Sequence, residues 1–522
     1  MLRLPFLVSL TVVSSVLSLK ILVDSPVYAP RHTNFLARIA DTLTEAGHDV
    51  TFFTPIIDES RRSTLGVKLT KDIVTVEPDD AVRNELARRK NLMAGFWTMN
   101  VDSTNGHKTL DGFRELKALS CANTLRNKKV LEELRARHYD VAITEPLSTC
   151  GLAMFKFIGI ERVVMATSCT NYDIMIPALG DPEETSYLPS MNSQISDKMS
   201  FSERLENHRM MKVMTGVFVE MFDGEMAVYR KHLGQNHTDW RDLIADASLH
   251  MTNSIPYIDF PRPTLQKTIP IGGIAVDLER IRSEKVSKDW DEILGRREKS
   301  MFLSFGTLAK SAEMPTEFKK NLLEVFRGEP NVTFIWKYES DDVEFANDVE
   351  NVVFSKWVPQ TALLNDRRLT AFLSHGGLGS TNEAAHLGKP AVMVPIFADQ
   401  YRNSQMLVRQ GMAVVLHKRE LGDLQKVKNA FHSILYDESY RVNAARIAEM
   451  LRNQPLKPKE MVVKYVEFVG KHGPFHQMTP YSLKMPFYQR YQYDVYAFIG
   501  FTYLLPVTIG LVVLKYSLCY FK

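Results

Sequence analysis

Residues 370–400 read TAFLSHGGLGSTNEAAHLGKPAVMVPIFADQ, and the fold turns on how this stretch divides. Residues 370–374 form a short apolar run with strand character. His375-Gly376-Gly377 follow, and the chain then opens a helix expected over residues 378–387 before a second apolar strand at 391–394. Strand–helix–strand units of this kind build parallel sheets, whose ligand sites lie at the carboxyl ends of the strands. Glycines directly after a strand let the backbone approach an anion. The helix start behind them offers unpaired N–H groups and a partial positive charge. Ser380 and Thr381 add hydroxyls in the first turn. The stretch reads as a phosphate cradle, though it lacks the lysine of a P-loop and the spacing of a dinucleotide fingerprint. A Gly-Gly pair alone would be an ordinary turn.

The neighbouring residues give the cradle more weight. Upstream, Trp357 offers a flat face for a base and Gln360 an amide for its edge. Glu383 can accept from ribose hydroxyls, as acidic residues do in nucleotide folds. Asp399 and Gln400, at the end of the next strand, can bind sugar hydroxyls. Singly, Trp357 would be core packing and Asp399 a helix cap. Together they supply base, ribose, phosphate and sugar contacts in chain order.

The same alternation extends outward on both sides. Strands are expected at residues 301–305, 332–336 and 352–354, which makes 281–475 one doubly wound half. Before it, Pro256, Pro261, Pro263 and Pro270, with Gly272-Gly273, read as a linker. Before that, residues 19–280 begin with a strand at 21–23, a helix carrying Phe35, Leu36, Ile39, Ala40 and Leu43, a closing Gly47, and a strand at 50–53. Further strands are expected at 141–143 and 162–166. Residues 71–134 and 181–241 are charged, Met-rich and helix-leaning, as inserted helices would be. Two α/β halves joined by a proline-rich hinge imply a cleft between them.

Composition removes several classes of function. The 522 residues are 45% hydrophobic and 24% charged, as in ordinary globular proteins. Lys and Arg number 64 against 61 Asp and Glu, so no broad cationic field invites nucleic acid. Four cysteines make neither a disulfide scaffold nor a zinc site, and no Asp-x-Asp pair or His/Cys cluster points to a metal. The average hides two apolar ends. Arg3 and the apolar run 4–17 read as a signal peptide over residues 1–18. Residues 495–514 carry no charge over a length that crosses a membrane, with Tyr493 and Tyr496 at one edge and Lys515 and Tyr516 at the other. Residues 476–494 connect body to span, and 515–522 form a cytosolic tail. The expectation is a type I single-pass protein with its body outside the cytosol. Two sequons, at Asn236 and Asn331, then become candidate glycosylation sites. Cys121, Cys150 and Cys169 share that compartment, so at least one lacks an intramolecular partner there.

A reaction at the cleft that attacks with a hydroxyl needs a base. His32 follows the first strand at the mouth of its helix, where a parallel sheet presents ligand groups. Glu145, just after the strand at 141–143, is the candidate to orient it and stabilise the imidazolium. Asp140 reads as a turn residue, and His48 as structural.

The block 356–400 resembles the signature of UDP-glycosyltransferases, the group of UDP-glucuronosyltransferases and UDP-glucosyltransferases. The resemblance extends over nearly the whole chain, through the hinge and the C-terminal anchor. It implies an α/β fold with two doubly wound Rossmann-like domains of the GT-B glycosyltransferase type facing a cleft, plus one C-terminal transmembrane helix. It implies that Trp357 and Gln360 face uracil and Glu383 the ribose. His375, Gly376, Gly377 and Ser380 would face the diphosphate, with Ser304, Gly306 and Thr307 nearby. Lys337 stands at a basic family position, and Asp399 with Gln400 would face the sugar. His32 occupies the position of the family's catalytic histidine, followed by the same run to Gly47-His48. Two departures stand out: Glu145 where most members have Asp, and Gly379 where many have Asn.

The implied chemistry is direct displacement with inversion, from UDP-glucuronate or UDP-glucose to a hydroxyl of a small lipophilic alcohol or phenol. The UDP-sugar is a co-substrate, and neither cofactor nor metal is expected. The partners implied are the donor, the acceptor and the lipid bilayer, with a homo-oligomer possible. The location implied is the endoplasmic reticulum membrane, body lumenal. Met93, Phe96, Trp97, Met99, Met175 and the stretch 210–226 suggest an adaptable apolar pocket, or equally helix core. The competing readings are a membrane-tethered binding protein that kept the fold without turnover, and a dinucleotide oxidoreductase. The second is disfavoured because no Gly-x-Gly-x-x-Gly follows either half's first strand.

Overall fold

The computed structural model describes residues 18–26, 30–89, 94–99, 106–234, 238–307 and 309–521. Two parallel sheets dominate. The first holds β1 (Lys20–Asp24), β2 (Asp49–Pro55), β3 (Asp72–Val76), β4 (Val141–Thr144), β5 (Val163–Thr167), β6 (Leu249–Thr252) and β7 (Thr268–Pro270), in the order β3-β2-β1-β4-β5-β6-β7. The second holds β8 (Lys299–Ser304), β9 (Val332–Lys337), β10 (Val352–Ser355), β11 (Leu369–Ser374), β12 (Ala391–Met393) and β13 (Ala413–Val415), in the order β10-β9-β8-β11-β12-β13. In each sheet the order reverses beside the first strand, at β1/β4 and at β8/β11. These are the switch points where open α/β sheets leave a crevice for ligands. Ile21 pairs with Val141 and Leu303 with Leu373, so the ends of the central strands are level with one another.

The central strands are apolar on both faces because helices cover both. Leu22, Ala142 and Met165 belong to a cluster with the helix Phe201–Leu233, while Ile21, Val23 and Ile143 pack with the helix Pro30–Glu45. The 33-residue helix Phe201–Leu233 opens on a capping box between Ser200 and Glu203 and lies along the helix Gly106–Arg126. A disulfide joins Cys121 on that second helix to Cys150 at the start of the helix Cys150–Ile158, and Cys169 is a buried free thiol.

Three elements differ from the sequence expectation. The charged stretch 71–134 starts with an edge strand, β3, whose alternation Ile73 out, Val74 in is too short to stand out from its helical surroundings. The proline-rich stretch contains β7, where Pro270 is tolerated because the strand lies at the sheet edge. The helix Pro458–His472 follows the second sheet in sequence but packs on the first, burying Val462, Val466 and Val469 beside Ile39 and Leu43. His48 bonds into this junction, its Nδ1 accepting from the Leu19 N–H and its Nε2 lying 3.4 Å from Glu467.

The C-terminal helix, Tyr493–Tyr520, contains an 18-residue stretch with a mean hydropathy of 2.2 and no burial against the body. It is long and apolar enough to cross a membrane, and Pro506 sits within it. The leader segment, Asn236 and Met93 lie outside the described residues. Asn331 is exposed, one residue before β9, while Thr333 of its sequon is buried in that strand.

Candidate active site

The first wall of the cleft is made by strand ends. β1 finishes at Asp24, and the helix Pro30–Glu45 begins with Pro30, whose fixed φ and missing N–H suit a first helical position. His32 sits in that first turn and is buried. β4 ends one residue before Glu145, and β5 one residue before Ser168. His32 Nδ1 lies 2.8 Å from Glu145 Oε2. The other carboxylate oxygen accepts from the Ser168 N–H at 2.8 Å and from the Tyr172 hydroxyl at 2.7 Å. Burial pushes the Glu145 carboxyl upward, but the charge and hydrogen bond of His32, with Ser168 and Tyr172, hold it down at about 2. A permanent carboxylate therefore faces Nδ1 and fixes the proton there, leaving the Nε2 lone pair toward the cleft. That lone pair accepts from Arg31 Nε at 3.2 Å.

The second wall gathers the residues expected to hold a nucleotide sugar. After β8, Gly306 takes a φ of +83°, and after β11 come His375, Gly376 and Gly377, with Gly377 preceding the helix Leu378–Leu387. The His375 ring lies between two glycines. A Cβ at Gly306 would stand 2.6 Å from its Cε1, and one at Gly377 would stand 2.7 Å from its Nε2. His375 Nδ1 is buried with no hydrogen-bond partner among the described residues. Burial, then the charge of Arg31, pushes its pKa down to about 4, so the ring is neutral at physiological pH. Gly306→Ala is expected to raise the Kd for UDP about tenfold or more by titration calorimetry. Both the left-handed backbone and the crowded ring oppose a side chain there, and each 1.4 kcal/mol is about a factor of ten.

Gln360, Ser380 and Glu383 are brought together: Gln360 Nε2 donates to Ser380 Oγ at 3.0 Å and to Glu383 Oε2 at 2.6 Å. Burial raises Glu383 to about 7, opposed by the Gln360 amide. Trp357 is 70% exposed, a ring open to stacking rather than core packing. Ser304 is buried at its strand end, and Thr307 is exposed. Lys337 has commitments of its own: Nζ donates to the Gly306 carbonyl at 2.7 Å and to Glu339 at 3.1 Å, so it props the Gly306 turn. Gln400 turns its Oε1 back onto the N–H groups of Ile396 and Phe397. Asp399 is 1% exposed, makes no side-chain cap bond to its helix, and accepts from Asn403 Nδ2 at 3.0 Å. Gly379 is exposed with open space around it.

A side chain beside the base joins the walls. Arg31, 368 residues before Asp399, donates from Nη1 to its Oδ1 at 2.5 Å while its Nε reaches His32. Sequence reading gave Arg31 no role, since a residue beside the base has no predictable direction. Ser168 and Tyr172 were also missed, although their place just after a strand end is the signal that found His32 and Glu145. Of the apolar candidates, Phe96 stacks on Phe397 and Trp97 donates to the Lys310 carbonyl, so both belong to the core of the second half. Met175, Met210, Met214, Met221 and Met226 are core of the first. Among the described residues no group of three His, Cys, Asp or Glu side chains is placed to hold a metal ion.

Comparison with known proteins follows the same lines. Residues 20–522 match the family model described as UDP-glucoronosyl and UDP-glucosyl transferase. The chain is 28% identical to the Caenorhabditis elegans protein ugt-56 over 456 residues, covering 85% of this chain and 84% of that one. It is 25% identical to the Mus musculus UDP-glucuronosyltransferase 1A9 over 486 residues, covering 93% and 89%. Among solved structures, the fold resembles Os79 from O. sativa in complex with UDP (TM-score 0.58, 16% identity, 87% of this chain and 100% of that one). It also resembles the glycosyltransferase VinC in complex with DTDP (TM-score 0.57, 15% identity, 87% and 100%).

Proposed function

Since the chain belongs to the UDP-glucoronosyl and UDP-glucosyl transferase family and is a glycosyltransferase, we propose that it moves glucuronic acid or glucose from a UDP-sugar to a hydroxyl of a small lipophilic acceptor. His32 acts as general base, and configuration inverts. The observation that carries this reading is the pairing of His32 Nδ1 with Glu145 at 2.8 Å, which leaves Nε2 as the basic atom toward the cleft. The acceptor hydroxyl takes the place of Arg31 Nε at Nε2 and loses its proton as its oxygen attacks the anomeric carbon. UDP leaves on the opposite face. His375, the glycine amides and the helix start after Gly377 stabilise the diphosphate, and Asp399 with Gln400 holds the sugar.

The C-terminal helix Tyr493–Tyr520 anchors the protein, and the body faces the lumen of the endoplasmic reticulum. Asn331 is exposed there to receive a glycan. The test is to present UDP-glucuronate and UDP-glucose with a panel of phenols and alcohols, and to follow UDP release and product mass. Glycoside formed from at least one pair is the expected result. UDP bound but never released from any pair would favour a tethered binding protein, as would an Arg31 that never leaves Nε2.

A further inference from the structure

Between His32 and the Cys121–Cys150 disulfide lies a small cavity of about 50 Å3 that opens to solvent at its mouth, walled mainly by Leu36, Phe53, Pro55, Ile57, Leu147 and Met154. Five ionisable side chains line it: Asp24 from β1, His32, Lys117 from the helix Gly106–Arg126, Glu145, and Glu225 from the helix Phe201–Leu233. Four of them have assigned partners. His32 and Glu145 hold each other. Glu225 accepts from Ser148 Oγ at 2.7 Å, from the Thr149 N–H at 2.6 Å and from Thr149 Oγ1 at 2.9 Å. Lys117 Nζ donates to the Leu147 carbonyl.

Asp24 is different. It is 3% exposed, and its Oδ2 accepts from Thr144 Oγ1 at 2.8 Å, but no cation pairs with it among the described residues. The charge that acts on it is Glu225, of the same sign; burial first, then Glu225, raises the carboxyl to about 7 against the pull of Thr144. Space for this carboxyl is built into the fold, because a Cβ at Gly151 would overlap Asp24 Oδ2. Next to it, Ser25 Oγ is buried without a hydrogen-bond partner among the described residues. A buried carboxyl without a countercharge is costly, and here it faces a cavity shared with the base.

We propose that Asp24 recognises the acceptor, pairing with a protonated amine carried at the end remote from the hydroxyl that His32 deprotonates. The acceptor class is then a compact phenol or alcohol bearing a basic amine, with the amine inside the cavity and the ring at its open mouth. This rests on His32 acting as the base of the proposed transfer.

The test compares two acceptors that differ only in the amine, 4-ethylphenol and 4-(2-aminoethyl)phenol, with the full-length, membrane-anchored enzyme. The readout is the ratio of their kcat/KM values, in which effects common to both acceptors cancel. The wild type is expected to favour the amine about tenfold or more, and Asp24→Asn to reduce that ratio at least tenfold. UDP affinity of the variant reports its folding. If the variant fails to fold, the wild-type ratio is read between pH 7.5 and 5.5, where it should fall as Asp24 is protonated and the ligand's amine stays charged. A wild-type ratio near or below one overturns the proposal, as does a ratio unmoved by both the substitution and pH. If neither phenol is turned over, the acceptor panel described above decides the proposed transfer. Direct calorimetric binding of the two ligands to wild type and Asp24→Asn then still decides the role of Asp24, by the same tenfold criterion.

Discussion

His32→Ala is expected to abolish glycosyl transfer, lowering kcat by about 10³-fold or more, while the Kd for UDP changes less than about twofold. The first number follows from what the ring supplies. General base catalysis by a placed histidine contributes about 10²–10⁴-fold, and no other basic group in the described residues is positioned as His32 is, with Nδ1 held by a carboxylate and Nε2 toward the cleft. The second follows from where the proposed nucleotide contacts lie. His375, Gly377, Gln360 and Glu383 belong to the second sheet and its helices, whereas His32 belongs to the first half. Single-turnover transfer and calorimetric UDP titration on the same preparation separate the two. A parallel loss of both would mean that His32 supports the donor site instead of attacking chemistry. Loss of His32 also frees Arg31 from one of its two partners and leaves it on Asp399. Donor KM can therefore shift by a small factor without contradicting the assignment.

The reach of sequence reading was set by how local each cue is. The strand–glycine–helix run at 370–387 announced its elements, because an apolar strand, a glycine turn and a helical pattern are all local cues. β11 and the helix Leu378–Leu387 lie where that run places them. The pairing of His32 with a carboxylate 113 residues away was also within reach, since both follow strands that a parallel sheet must bring side by side. What could not be read were contacts that depend on the direction of a side chain or on a return across the molecule. Lys337 stands at a basic family position, but its bonds to Gly306 and Glu339 could not be told from position alone. Phe96 and Trp97 fitted a pocket wall or a core equally well, and nothing local said that they cross to the other half, where Phe397 and Phe305 receive them. The helix Pro458–His472 carries an ordinary amphipathic pattern, and no pattern says which sheet it will cover. Asp24 was passed over because a carboxyl at a strand end is common, and only its burial without a cation makes it notable.

Glu145→Ala should lower kcat by about 10²–10⁴-fold, the scale on which a buried carboxylate behind a catalytic histidine acts by fixing its tautomer and supporting its positive charge. The sharper experiment is Glu145→Asp, because aspartate is the residue that the family resemblance implies at this position. Here the longer arm is used at both ends: Oε2 meets His32 at 2.8 Å, while Oε1 holds the Ser168 N–H and the Tyr172 hydroxyl. Removing one methylene withdraws the carboxylate by about 1.5 Å, more than the ~0.3 Å margin by which these bonds stay within normal length. Glu145→Asp is thus expected to lose at least about tenfold in kcat, with donor KM little changed. Acid stability gives an independent reading. In the folded protein the carboxyl titrates at about 2, below its ordinary 4.5, so its pairing stabilises the fold above pH 4.5 and that contribution is lost as pH falls toward 2. The Tm of the wild type should accordingly fall more steeply over this range than that of Glu145→Gln, which carries no proton to gain. Equal slopes, together with full activity in Glu145→Asp, would show that His32 is oriented by Ser168 instead, whose Oγ also lies 2.8 Å from Nδ1.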